Sequence, residues 1–337
     1  MPRLFCAAIL LCSLGAFFKA EAGPALVVDA QSGLVIYSED ADTPWHPASL
    51  TKLMTAYVTF TAIREGKLSL EDSVTCSQHA LEQPPSKIGM PVGAQLSVDL
   101  ALKALIVKSA NDVAIMLAEK VAGSEPAFVD MMNETAKRLG MTQTHFFNAN
   151  GLPNPDQVTT ARDLALLAQA LLREFPQYAF LYSLPSFKLG NRFMRSHNSL
   201  LRTFDGADGM KTGFICASGY NVVASARRGD RQILAVVLGE RSNSARTIRA
   251  AALIQHGFDT LGWKALFSAP LDQMEVDAAA PTAPANLQTV VCQPRRVYTK
   301  QQLRKLVHKR QAAAAAAAEK AAEKKQPQPK PNANAQN

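Results

Sequence analysis

"GYNVVASARRGDRQILAVVLGE", residues 219–240, reads as two apolar runs hinged on Arg228-Gly229-Asp230. Val, Ile, Leu and Ala dominate both runs, and a glycine between charged residues is turn chemistry, so the stretch predicts a β-hairpin. Just before it, "GADGMKTGF" (206–214) reads as another strand. At the far end of the chain "PALVVDAQSGLVIYSEDAD" (24–42) has the same form around Gln31-Ser32-Gly33.

The segments between read as helices. "SLTKLMTAYVTFTAIREGKL" (49–68) reads as a long, mostly apolar helix, hence a buried one. "SVDLALKALIVKSANDVAIMLAEKVAG" (97–123) is helical on both sides of Ser109, with Ser97 as N-cap and Gly123 as stop. Residues 125–141 form an amphipathic helix ending at Gly140, and 159–176 another broken by Pro176. A last helix spans 244–262. Strands at both ends and helices in the middle imply an α/β (α+β) fold, an antiparallel β-sheet made from both chain ends and packed against a mostly helical cluster.

The chain carries 337 residues, 47% hydrophobic and 19% charged, enough for a sizeable core. Its net charge is +8, yet Arg295–Lys330 alone holds eleven Lys/Arg against two Asp/Glu, or +9, leaving the rest near −1. A body of that charge is not a basic nucleic-acid binder. Arg3 precedes an apolar stretch from Leu4 to Phe18, and Ala20-Glu21-Ala22 fits a small-x-small cleavage site. Residues 1–22 therefore read as a secretory signal peptide, the stretch being short for an uncleaved membrane anchor, and the protein as exported to the periplasm or the outer face of the cytoplasmic membrane. Cys76, Cys216 and Cys292 remain after cleavage, an odd count that makes no disulfide framework. A Cys76–Cys216 bridge stays open. The body runs over 23–267. Residues 268–300 read as a Pro/Ala-rich linker or loose extension, and 301–337 as a basic, Ala-rich helical and then disordered tail.

"HPASLTKLM" (46–54) places Ser49 and Lys52 three apart. An ordinary helix start has this composition too. On a helix the spacing brings an amine to a hydroxyl, and a lysine of depressed pKa can activate a serine. "KSANDVA" sets Ser109 and Asn111 amid apolar helix residues, and "MKTGF" supplies Lys211-Thr212-Gly213. Each triplet is common alone; the ordered set Ser-x-x-Lys, Ser-x-Asn, Lys-Thr-Gly is specific.

With these motifs, and with "NANGLPNPDQVTTARDLALLAQALL", "HNSLL" and "GADGMKTGFICASGYNVVASA", the chain resembles the penicillin-recognising serine acyltransferases. Within them it is most similar to the low-molecular-mass penicillin-binding proteins that are serine D-alanyl-D-alanine carboxypeptidases. The likeness spans roughly residues 24–265. It implies a β-lactamase/transpeptidase-like fold and removal of the terminal D-alanine from peptidoglycan stem peptides through an acyl-enzyme on Ser49. Lys52 would be the general base and Ser109 the proton relay to the leaving amine. Asn111 would hold the substrate amide. Lys211 and Thr212 would bind the terminal carboxylate, Gly213 would close the third triplet, and the backbone N–H groups of Ser49 and Phe214 would stabilise the oxyanion. Arg241 would steer the same carboxylate. The resemblance implies β-lactams as covalent inhibitors and no metal or organic cofactor.

A class A β-lactamase shares the three triplets but needs a glutamate in a Glu-x-x-x-Asn loop, and "NANGLPNPDQVTTARD" has none. A DD-endopeptidase cutting cross-links would use the same machinery. A non-catalytic wall-binding protein of the same fold would be expected to lose a triplet, and none is lost here. His46 and His197 read as structural or rim residues, Cys216 as packing, and Asn198 as an organiser of the loop before Asp208. Many members of the family it resembles carry a β-rich second domain and then a C-terminal amphipathic membrane anchor; the residues after Phe267 read as lacking a clear second domain. The basic run Arg295–Arg310 could instead contact anionic lipid, worth roughly 1 kcal/mol per charge near a membrane surface, or remain solvated.

Overall fold

The computed structural model describes residues 23–292 and scattered helical positions between 301 and 312. The leader read at 1–22 and most of the tail read at 301–337 lie outside the described residues. Chain order runs β1 (Ala25–Asp29), β2 (Val35–Glu39), α1 (Thr51–Arg64), β3 (Ser73–Thr75), α2 (Gln78–Glu82), β4 (Gln95–Ser97), α3 (Val98–Lys103), α4 (Asn111–Ala122), α5 (Glu125–Arg138) and α6 (Ala161–Glu174). It continues through α7 (Phe180–Ser183), β5 (Ser186–Leu189), β6 (Arg192–Arg195), α8 (Leu200–Thr203), β7 (Ala207–Ile215), β8 (Gly219–Arg228), β9 (Arg231–Glu240), α9 (Asn243–Lys264) and α10 (Gln288–Val291).

One five-stranded antiparallel sheet, ordered β2-β1-β9-β8-β7, joins the two ends of the chain. Val27 of β1 stands opposite Ala235 of β9. Side chains alternate across a strand. Ile233, Ala235 and Val237 therefore pack with Val27, Ala250 and Ile254 under α9. Leu234, Val236 and Leu238 turn the other way, into the helical cluster with Leu26, Leu53 and Met54. Both faces are covered, which is why these strands read as unbroken apolar runs rather than alternating ones.

Helix α1 sits at the centre of the cluster, with Leu53, Met54, Tyr57 and Phe60 fully buried. Tyr57 meets Phe175 edge-on at 5.1 Å and Phe60 stacks on Tyr178 at 4.2 Å. The helical stretch read over 97–123 is interrupted. Helix α3, capped by the Ser97 hydroxyl, runs into a π-turn at Ala104–Lys108. Ser109 then takes φ 60°, ψ 41°, and α4 starts afresh at Asn111. A left-handed non-glycine residue costs on the order of 1–3 kcal/mol and clusters at functional sites.

Residues 268–292 are not a loose linker; they strap onto the body. Val35 donates to the Ala269 carbonyl at 3.1 Å and Leu271 to that of Gly33 at 2.9 Å. The buried Arg162–Asp42 pair lies beneath, closed by bonds of 2.6 and 2.9 Å. Arg162 also donates to the carbonyls of Met274 and Glu275, and Asp42 accepts from the Asp277 amide at 2.9 Å. Farther on, Leu287 donates to the Ala217 carbonyl at 2.8 Å, and Cys292 is disulfide-bonded to Cys216. The open Cys76–Cys216 pairing is thereby corrected: Cys76 is a buried free thiol whose Sγ donates to the Met90 carbonyl at 3.3 Å. A Pro/Ala-rich composition gave no sign of this docking because its backbone carbonyls, not its side chains, make the contacts to Arg162. Among the described residues no helix is long and apolar enough to cross a membrane.

Candidate active site

Ser49 lies in a short 3-10 turn, Ala48–Leu50, that leads into α1. Two glycines allow neighbouring backbone to close on that turn. A Cβ on Gly151, at φ +84°, would fall 1.9 Å from the Ala48 carbonyl oxygen. One on Gly213 would fall 2.9 Å from the Pro47 oxygen and 3.2 Å from the Ser49 nitrogen. The loop around 150 and strand β7 thus press on the serine from two sides. Asn221 of β8 fixes the approach, donating to the His46 carbonyl at 3.1 Å and accepting from the Gly239 amide at 3.0 Å.

Lys52, in the first turn of α1, is fully buried. Its Nζ stands 3.1 Å from Ser49 Oγ, 2.7 Å from Asn111 Oδ1 and 2.5 Å from the Asn150 carbonyl oxygen. Burial, and then the charge of Lys211, hold its pKa well below the usual lysine range, while Asp112 acts the other way. No carboxylate pairs with it among the described residues. A buried, unpaired ammonium costs several kcal/mol, so burial favours the neutral amine. A neutral amine has two protons and one lone pair. Donating the protons to Asn111 and Asn150 leaves the lone pair to accept from the Ser49 hydroxyl.

The third triplet comes from the edge strand β7. Lys211 is buried; its Nζ donates to Ser109 Oγ at 2.8 Å and to the Thr212 carbonyl at 2.9 Å. Burial, and then the charge of Arg246, push its pKa down to about 7. Asn111 is held by its Nδ2, which donates to the Pro84 carbonyl at 2.9 Å. Ser49, Ser109, Asn111, Thr212, Gly213 and Phe214 all line one cavity of about 530 Å³, with Lys52 and Lys211 beneath its floor. Among the described residues no carboxylate lines it. Three segments distant in sequence therefore converge. The arrangement joins a hydroxyl, an amine whose charge is disfavoured by burial and the basic side chains Lys211 and Arg246, which suits attack on a carbonyl beside a carboxylate.

Arg241 does not take the place read for it. It is exposed just after β9 and does not line the cavity. Arg246, one helical turn farther on, does. It is 4% exposed and donates to Asn243 Oδ1 and to the His197 carbonyl. Its guanidinium lies 6.0 Å from the Tyr220 ring, which in turn packs on Phe214 at 4.3 Å. Helix α9 begins with Ser242 as N-cap. An arginine in the first turn opposes the helix dipole, a sequence signal that it serves something other than the helix. Asn150 carried no such signal, because its backbone carbonyl makes the contact to Lys52. His46 bonds the Gln157 carbonyl at 3.0 Å, and Asn198 donates to the Gly209 carbonyl at 2.9 Å, both away from the nucleophile. His197 stands on the cavity rim.

A model of the peptidase S11 family, described as D-alanyl-D-alanine carboxypeptidase, matches residues 15–242. The chain belongs to that family. D-alanyl-D-alanine carboxypeptidase DacC of Escherichia coli K12 is 39% identical over 240 residues, 69% of this chain and 60% of that protein. The chain spans about three fifths of the length of the curated relatives it matches. Penicillin-binding protein 5 of Haemophilus influenzae superposes with a TM-score of 0.69 at 33% identity, covering 71% of each chain. Penicillin-binding protein D2 of Listeria monocytogenes, in its ampicillin-bound form, gives 0.62 at 31% identity over 70% of this chain and 97% of that one. The family's transpeptidase-like architecture is the one described above, an antiparallel sheet against helices.

Proposed function

We propose that the protein is an exported serine D-alanyl-D-alanine carboxypeptidase acting on peptidoglycan stem peptides. The observation that carries this is the Lys52 amine, buried without a counter-ion and 3.1 Å from Ser49 Oγ. Ser49 attacks the carbonyl of the penultimate D-alanine as Lys52 takes its proton. The backbone N–H groups of Ser49 and Phe214 receive the developing oxyanion. Asn111 holds the substrate amide and orients Lys52. Ser109, bonded to Lys211, passes a proton to the departing D-alanine amine. Lys211, Thr212 and Arg246 hold the terminal carboxylate, and Arg246 takes the steering role first read at Arg241. Water then cleaves the ester.

β-Lactams present a strained amide and a carboxylate to the same groups and acylate Ser49. With no carboxylate among the described residues lining the cavity to activate water, that adduct is long-lived. Membrane contact through the basic tail is a further part of the proposal, supported by the run of charge from Arg295 to Lys330.

The test is release of D-alanine from a peptide ending in D-Ala-D-Ala. The wild type should release it and Ser49→Ala should not. Equal release by both would refute the assignment, and release only from cross-linked muropeptides would assign endopeptidase activity instead.

A further inference from the structure

Asp112 is fully buried at the start of α4 and makes no ion pair among the described residues. Its carboxylate accepts from the backbone amides of Ile88 at 3.0 Å, Gly89 at 2.8 Å and Val113 at 2.9 Å. Ile88 and Gly89 close the loop "QPPSKIG" (83–89). That loop reaches the reacting groups at several points. Gln83 Oε1 accepts from Asn150 Nδ2 at 2.8 Å. The carbonyls of Pro84 and Ser86 accept from Asn111 Nδ2 at 2.9 Å and from the Asn111 amide at 2.7 Å. Ser86 Oγ donates to the Lys108 carbonyl at 2.9 Å, beside Ser109, and Pro85 and Ser86 line the cavity. Asn111 Oδ1 and the Asn150 carbonyl are the acceptors of the Lys52 amine. The loop therefore orients both partners of that amine, and the Asp112 carboxylate holds the loop.

We propose that Asp112 is a positioning residue whose buried carboxylate pins loop 83–89, so that Asn111 and Asn150 keep the Lys52 lone pair aimed at Ser49. This rests on the assignment of Ser49 as nucleophile and Lys52 as base. The carboxylate has a second effect. At Lys52 its negative charge works against burial and the charge of Lys211, favouring the charged amine. The Cys76 thiol feels the charge of Asp112, and that thiol also feels Glu119 and Lys87. Arg192 reaches the same loop from outside, donating to the Ile88 carbonyl at 3.0 Å. A carboxylate in the first turn of a helix also favours the helix dipole. A purely structural role of that kind would change the melting temperature and leave the pH profile in place.

The experiment measures the rate of Ser49 acylation by a fluorescent penicillin against pH in the full chain, for wild type, Asp112→Asn and Asp112→Ala. Both variants should acylate about tenfold to a hundredfold more slowly, as expected for a small misplacement of reacting groups. The acidic limb of their profiles should move to lower pH, because removing the anion makes Lys52 easier to discharge. Wild-type rates, or an unmoved acidic limb, would overturn the proposal. If the variants do not fold, amide hydrogen exchange in the wild type decides. Slow exchange at Ile88 and Gly89, despite their place in a loop, is expected; fast exchange would overturn the proposal. Absence of any Ser49 adduct in the wild type would instead fail the functional reading on which it rests.

Discussion

The amine of Lys211 donates to the hydroxyl of Ser109 at 2.8 Å across 102 residues of sequence, and neither group has a carboxylate partner among the described residues. The charge of Lys211 lowers the pKa of Lys52. In the mechanism proposed above, the same charge binds the substrate carboxylate.

Substituting Lys211→Met should accordingly raise the pKa of Lys52. Fewer molecules then carry the neutral base at a given pH, so the acidic limb of the kcat/KM profile should move to higher pH, opposite to the shift expected for Asp112→Asn. Loss of the charge should also lower kcat/KM about tenfold or more, the scale of a charge-assisted hydrogen bond. A pH–rate profile on a D-Ala-D-Ala peptide checks both the sign and the size.

Arg246 and Arg241 separate cleanly. Arg246→Gln should raise KM for a substrate with a free terminal carboxylate by about tenfold to a hundredfold, since a charged hydrogen bond is worth about 1.5–3 kcal/mol. Arg241→Gln should leave KM unchanged, its side chain being exposed and outside the cavity. Steady-state kinetics on the free acid and on its C-terminal amide test this, and the amide should lose the distinction.

How much of this was legible in the chain depends on where the contacts are made. The three triplets were, because Ser49, Lys52, Ser109, Asn111 and Lys211 meet through side chains at characteristic spacing. So was the sheet, because Ile233–Leu238 is apolar on both faces. The strap at 268–292 was not, because Arg162 binds it through main-chain oxygens. The Cys216–Cys292 bridge was not, because it depends on the strap's path. Arg246 was not, because the first turn of α9, beyond the strand that carries Arg241, brings its side chain to the cavity.

Reducing the Cys216–Cys292 bridge should cost stability. It closes a loop of 76 residues, and chain entropy alone assigns such a loop roughly 4 kcal/mol. Thermal unfolding with and without a thiol reductant measures it. Cys292→Ser should melt lower and lose its response to reductant. Cys76, buried and with its thiol pKa raised by that burial, should resist alkylation in the folded protein.

Burial pushes the carboxyl of Asp163 up to about 6, against hydrogen bonds from Thr144 and the Gln143 amide that favour its charged form. A carboxyl raised in the folded state binds more protons there than in the unfolded chain. Stability therefore falls as pH rises from about 4 to about 6 through this group. Asp163→Asn should flatten that slope, as read by chemical denaturation across the range.

In the proposed mechanism a discharged Lys52 makes Ser49 a nucleophile. The most direct measurement is the site and lifetime of the covalent adduct: label the protein with a fluorescent penicillin, digest it, and identify the modified peptide by mass. A long-lived adduct should appear on the Ser49 hydroxyl alone, vanishing in Ser49→Ala and forming far more slowly in Lys52→Met. Label on another residue, or undiminished labelling without the Lys52 amine, would contradict the account.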